Sequence, residues 1–212
     1  MNQRLRPRAL AAVLALTVAA SAAAADMDAK ARTLMGLAVG DATFADVQTK
    51  LGFTSIADLG DAEDPAFLLC YESGGALVRF VSNGQFGGPP KYPVVGVRVG
   101  PTSERPSGVR CAKLPKDAVP RLDNGLALGA KRADVEKLMG KPSTDKGDRW
   151  IYSASIDEPM PRTDPQFDYW APKKDECFDG RDPYFTIGSN VVVKFTSGTV
   201  TDFAVVRTKT AC

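Results

Sequence analysis

The sequence predicts an α+β protein of two tandem repeats, each a short helical unit packed on an antiparallel sheet. Three observations predict it. The stretch "GLAVGDATFADVQTKLG" at 36–52 recurs at 125–140 as "GLALGAKRADVEKLMG", with one residue fewer. Strand-like apolar runs follow each copy in the same order. Each copy then reaches a cysteine soon after its last run, Cys111 in the first and Cys212 in the second. Self-similarity at a long, fixed period marks a supersecondary unit that buries its apolar face against its neighbour.

The elements follow in chain order. Residues 1–25 open with Arg4, Arg6 and Arg8 and no acid, continue with "ALAAVLALTVAA" and end in "SAAAA". A basic start, an apolar stretch and small residues form a secretory signal peptide, with cleavage expected after Ala25. The apolar stretch is too short to span a bilayer. A periplasmic or secreted protein without stable membrane insertion is therefore expected. Cleavage would take the formal charge from +2 to −1, which gives no support for nucleic-acid binding.

The first helix-sheet repeat is expected at 26–110. Phe44, Val47 and Leu51 recur at helical spacing and Gly52 stops the helix. Runs at 67–73, 76–86 and 93–99 then read as an antiparallel meander. Residues 111–124, at the end of a proline-rich stretch, read as a linker. The second repeat is expected at 125–212. Val135, Leu138 and Met139 share one helix face, Gly140 ends it and Pro142 blocks continuation. Strand runs follow at 149–155, 191–200 and 203–208. Between them a long inserted loop is expected at 153–190.

The glycines of 125–140 are helix punctuation on this reading. A phosphate-binding loop needs G-x-x-x-x-G-K-[ST] after a buried strand, and Gly125 to Gly129 is one residue too short and lacks the Lys-Ser/Thr pair. Histidine is absent from the whole chain. That removes Ser-His-Asp and Cys-His catalysis and the commonest transition-metal ligand. No catalytic residue, cofactor or metal is expected. Ser143 and Lys146 fit S-x-x-K, but neither S-D-N nor K-T-G occurs. Asp175, Asp179 and Gly180 fit part of a calcium loop, but Cys177 and Thr186 stand where Asp/Asn and Glu are needed.

The four cysteines, Cys70, Cys111, Cys177 and Cys212, form an even set in a chain expected to be exported, so disulfides are expected. Three pairings are possible. If each repeat is a closed unit, the staples fall within it, as Cys70 with Cys111 and Cys177 with Cys212. Each would stabilise by roughly 3–4 kcal/mol on a chain-entropy estimate.

The candidate contact residues lie in the inserted loop: Phe167, Tyr169, Trp170, Phe178 and Tyr184, among many acids, lysines and prolines. Aromatic side chains are enriched in binding hot spots and hold contact area at low entropy cost. The opposing reading is a secondary core beneath the loop, for which Phe185 is the first choice.

The pattern G-x-x-x-[AD]-V-x-x-[LM]-[LM]-G-x-P, followed by "DRWIYS", resembles the small outer-membrane-assembly lipoproteins. Two such copies in one exported, disulfide-bonded chain resemble the tandem-repeat β-lactamase inhibitory proteins. The resemblance implies a sheet whose concave face carries aromatic side chains that grip a partner enzyme. The chain departs from the lipoproteins in having no lipid-acceptor cysteine and in its long second-copy insertion. The expected function is that of an exported, non-enzymatic module that binds another protein, as an enzyme inhibitor or envelope-assembly factor. A small-molecule or cell-wall glycan binder is the alternative, with the same rings as stacking platforms. A hydrolase working with two carboxylates across a cleft is the third reading.

Overall fold

The structure is a computed structural model and describes residues 29–60, 66–84, 88–173 and 182–211. The expected signal peptide, Phe178, Cys177 and Cys212 lie outside the described residues.

Chain order explains the layout. Two short strands, β1 (Thr33–Leu34) and β2 (Leu37–Ala38), form a tight hairpin. Gly36 sits in its turn with φ 71°, a left-handed conformation that favours glycine. Helix α1 (Phe44–Leu51) follows and buries Phe44, Val47 and Leu51, the stripe read from the sequence. Thr43 caps it reciprocally: its hydroxyl accepts from the Asp46 N–H, while the Asp46 carboxylate accepts from the Thr43 N–H at 2.8 Å. Strands β3 (Ala57–Asp58), β4 (Phe67–Ser73), β5 (Ala76–Ser82) and β6 (Gly96–Pro101) come next, then β7 (Ala112–Lys113). Helix α2 (Arg132–Met139) buries Val135 and Met139. It is followed by β8 (Thr144–Asp145), β9 (Arg149–Pro159), the single-turn helix α3 (Phe167–Trp170), β10 (Tyr184–Thr196) and β11 (Thr199–Ala211).

Apart from the β1–β2 hairpin, the strands make one sheet in the order β3-β4-β5-β6-β11-β10-β9-β8, with β7 pairing β4 in parallel. The middle seam is β6 against β11, where Val97 faces Val205 and Val99 faces Phe203. Both helices lie on the same face. Phe44, Val47, Leu51, Val135 and Met139 share one core with Leu69, Tyr71, Val78, Phe80, Val193, Phe195, Phe203 and Val205. Direct cross-strand partners share a face, so the other face carries Cys70, Arg79, Arg98, Ala204, Val192 and Ile151 in one row.

Each helix start is strapped to the chain entering the strand that ends the following meander, β6 or β11. The Phe44 N–H donates to the Tyr92 carbonyl and Val94 N–H to the Ala42 carbonyl. The Arg132 N–H donates to the Gly198 carbonyl and Val200 N–H to the Ala130 carbonyl. The carbonyl at each helix end also accepts a tyrosine hydroxyl: Tyr71 donates to Gly52 at 2.7 Å and Tyr152 to Gly140 at 3.3 Å.

Cys70 and Cys111 form a disulfide, with Cα atoms 4.5 Å apart. It joins β4 to the 106–114 segment, which covers the helix-free face of β4 and β5: Leu68, Cys70, Leu77 and Val109 are buried there together. The 111–124 segment is more than a linker. It supplies β7, and Leu114 and Leu122 are buried in the main core, because a leucine beside the helix layer is more stable inside it than in water. The segment 153–190 also differs from the expected loop. Residues 153–159 and 184–190 are strand, paired from Ser153↔Asn190 to Pro159↔Tyr184. Phe185, Ile187 and Ser189 alternate inward along β10 with the period of a half-buried strand.

Candidate functional site

The far ends of β9, β10 and β11 form an arm. The β6–β11 pairing ends at Gly96↔Val206. One further bond joins the seam, from the Arg207 N–H to the Val95 carbonyl at 2.9 Å. The chain preceding β6 then turns to meet residues 40–44, so β11 runs on from Arg207 to Ala211 paired, among the described residues, with β10 alone. Beside that divergence lies a cleft of about 500 Å³ bordered by Asp41, Val95, Ile187, Arg207 and Lys209.

The arm has its own core. Met160, Phe185 and Ile187 are buried together, and Phe167, Trp170 and Ala211 pack against them. The Asp164 carboxylate accepts the Gln166 N–H at 2.9 Å and turns the chain into α3, which lays Phe167 and Trp170 over β10. Tyr169 is on the outside of that turn, 61% exposed. Its ring meets Trp170 edge-on at 5.1 Å, and the Lys173 ammonium lies 3.6 Å from its centroid. These contacts hold a large exposed ring in one place.

The predicted contact residues thus take different places. Tyr169 is presented to solvent. Phe167 and Trp170 are half-buried as the cover of the arm, and Tyr184 is half-buried beside Pro159 on β9. Phe185 is buried, as expected. Ile156 was missed: it faces Ile187 across β9–β10 and is 49% exposed. The signal was its position in an alternating strand, hidden because the segment reads as loop. The resemblance implies a sheet face of aromatic rings. The helix-free face carries arginine, small and aliphatic side chains instead, and Tyr184 is its one ring among the described strand residues.

The helix-free face also holds an ionic chain across the seam. Arg98 Nε donates to Asp202 at 2.6 Å, Arg98 Nη2 lies 2.8 Å from Glu104, and Arg79 Nη2 lies 3.1 Å from the same carboxylate. Asp202 is buried, and a Cβ at Gly100 would stand 2.6 Å from its Oδ2. That glycine lets the carboxylate reach Arg98. On the other face, Asp41 receives Arg32 and Arg207, each at 2.6 Å. Partial burial pushes the Asp41 carboxyl up, but Arg32 and Arg207 outweigh this and hold it below its ordinary value. Lys113 and Arg105 hold Glu72 low, and Thr43 does the same for Asp46. Carboxylates held low in this way stay ionised and do not deliver protons as general acids. Among the described residues no three His, Cys, Asp or Glu side chains gather as metal ligands, and no helix is long and apolar enough to cross a membrane.

The chain matches no family model, no curated protein and no solved structure.

Proposed function

We propose that this protein is an exported, non-enzymatic protein-binding module built from two tandem helix-sheet copies, and that the β9–β11 arm is its contact surface. One observation carries the reading: the arm is held by its own buried core, yet keeps Tyr169 and Ile156 outside it. Large apolar side chains fixed on a rigid projection cost little entropy to bury against a partner. Enzyme inhibition and envelope assembly are the roles such a module serves.

The duplication is supported by the corresponding straps. A helix start tied to the chain entering the last strand, and a tyrosine hydroxyl on the carbonyl of the helix-ending glycine, occur once in 36–101 and once in 125–211. The seam supports it too: by the straps Val97 corresponds to Phe203 and Val99 to Val205, and Val97 faces Val205 while Val99 faces Phe203, as strands related by a two-fold axis would. Export is supported by the Cys70–Cys111 disulfide.

The test uses the exposed pair, not the half-buried rings that hold the arm together. Tyr169→Ala with Ile156→Ser should lower partner capture from envelope extract roughly tenfold or more, with an unchanged unfolding midpoint. An unchanged partner set would remove the arm from the account.

A further inference from the structure

We propose that the free edge of β11 accepts an extended acidic peptide as an added strand. The proposal deepens the reading of the arm as a protein-contact element. The Arg207 N–H points away from β10, to the Val95 carbonyl. Main-chain groups alternate in direction along an antiparallel strand, so the N–H and C=O of Lys209 point the same way. There the neighbouring chain has already turned off, and among the described residues no strand pairs this edge beyond Arg207. An unpaired row of donors and acceptors is a template for another strand. It opens on the cleft of about 500 Å³, within the usual range of ligand sites, roughly 300–1,000 Å³.

Charge selects the occupant. Arg207 and Lys209 stand on one face of the edge, two residues apart, and Lys209 is exposed. Arg207 pairs with Asp41, which also receives Arg32. A side chain of the incoming strand opposite Lys209 would lie about 5 Å from it, Cβ to Cβ. Glu158, the other acid lining the cleft among the described residues, is on β9, with β10 between it and β11. The charge that the edge itself carries beyond Arg207 is therefore positive: the Lys209 ammonium, 3.7 Å from the Phe185 ring centroid. On the other face the edge presents Val206, Thr208 and Thr210, against which β-branched side chains pack well. The fitting strand alternates acidic with β-branched residues. A second copy of β11 would set arginine and lysine against lysine and arginine, an unfavourable pairing.

The test titrates a labelled peptide of alternating Val and Glu, and its Val–Lys counterpart, into the disulfide-bonded protein and follows fluorescence anisotropy. The Val–Glu peptide should bind at least tenfold more tightly, and Lys209→Glu should reverse that order. Lys209→Pro deletes an outward-facing donor together with the ammonium, where an edge tolerates proline, and should weaken binding of the Val–Glu peptide tenfold or more, and by more than Lys209→Gln, which removes the charge alone. Amide exchange at Lys209 should slow when the peptide is bound. Equal binding of both peptides, binding of neither, or Lys209→Glu leaving the order unchanged would overturn the proposal. So would sedimentation showing that the edge is taken up by a second copy. Failure here leaves the Tyr169 and Ile156 test standing, because those residues lie on α3 and β9.

Discussion

Tyr71 and Tyr152 do the same work at opposite ends of the sheet. Each hydroxyl donates to the carbonyl of the glycine that ends a helix, Gly52 or Gly140. Burial pushes both hydroxyls from 10 to about 12; Glu136 and Asp145 add to the shift at Tyr152. A raised value means that the folded state holds the proton longer. Their contribution is complete below pH 10 and is lost as pH rises through about 12. The double variant Tyr71→Phe, Tyr152→Phe should lose about 1 kcal/mol per hydrogen bond at neutral pH. It should also show a shallower alkaline fall in denaturant midpoint. An equally steep fall would separate the tyrosines from it. Asp41 has the opposite sign. Its folded value is lowered from 3.8, so its contribution holds above that value and is lost as acid protonates it. Asp41→Asn should flatten the acid side of the stability profile. At this scale the sequence was legible in part. Tyr169 could be named as a candidate contact ring, but Phe167 and Trp170, which the structure half-buries, could not be separated from it. Spacing in a proline-rich segment does not say which side of a helical turn faces β10.

The two long helices were legible as elements, because an apolar stripe closed by glycine has few other readings. What differs between them is the start. Thr43 caps α1 through its side chain, whereas Lys131, with similarly extended backbone, makes no side-chain cap to α2. Thr43→Ala should cost about 1 kcal/mol. Lys131→Ser should add several tenths of a kcal/mol to 1 kcal/mol, because it gives an uncapped end an acceptor. Thermal unfolding of the two single variants checks both; a loss from Lys131→Ser would mean that the lysine has a role in the strap at Thr199. The arm was the element that the sequence concealed. Gly188, Ser189 and Asn190 fall in the segment expected as loop, yet they lie within β10. Ser189 takes an inward position, and the Thr208 hydroxyl occupies the space where a Cβ on Gly188 would stand. Pairing on both sides overrides the weak local preference of such residues for a strand.

Across the whole molecule, the sheet turns two runs of similar sequence into one core. The β6–β11 seam joins residues more than a hundred positions apart, and Arg98 reaches Asp202 across it. No local pattern announces such a seam, because each strand looks equally able to end its own sheet. The same seam creates the arm: β11 outlasts its pairing with β6, and its remainder projects with β10 and β9. The cover over β10, the exposed ring of Tyr169 and the open edge at Lys209 all depend on that difference in strand length. The most direct test places a photo-crosslinking amino acid at Tyr169 and, as a control, at Lys137 on the outer surface of α2, in cells making the protein. The account predicts a discrete crosslinked partner from position 169 and none from 137. The same products from both positions, or none from 169, would contradict it.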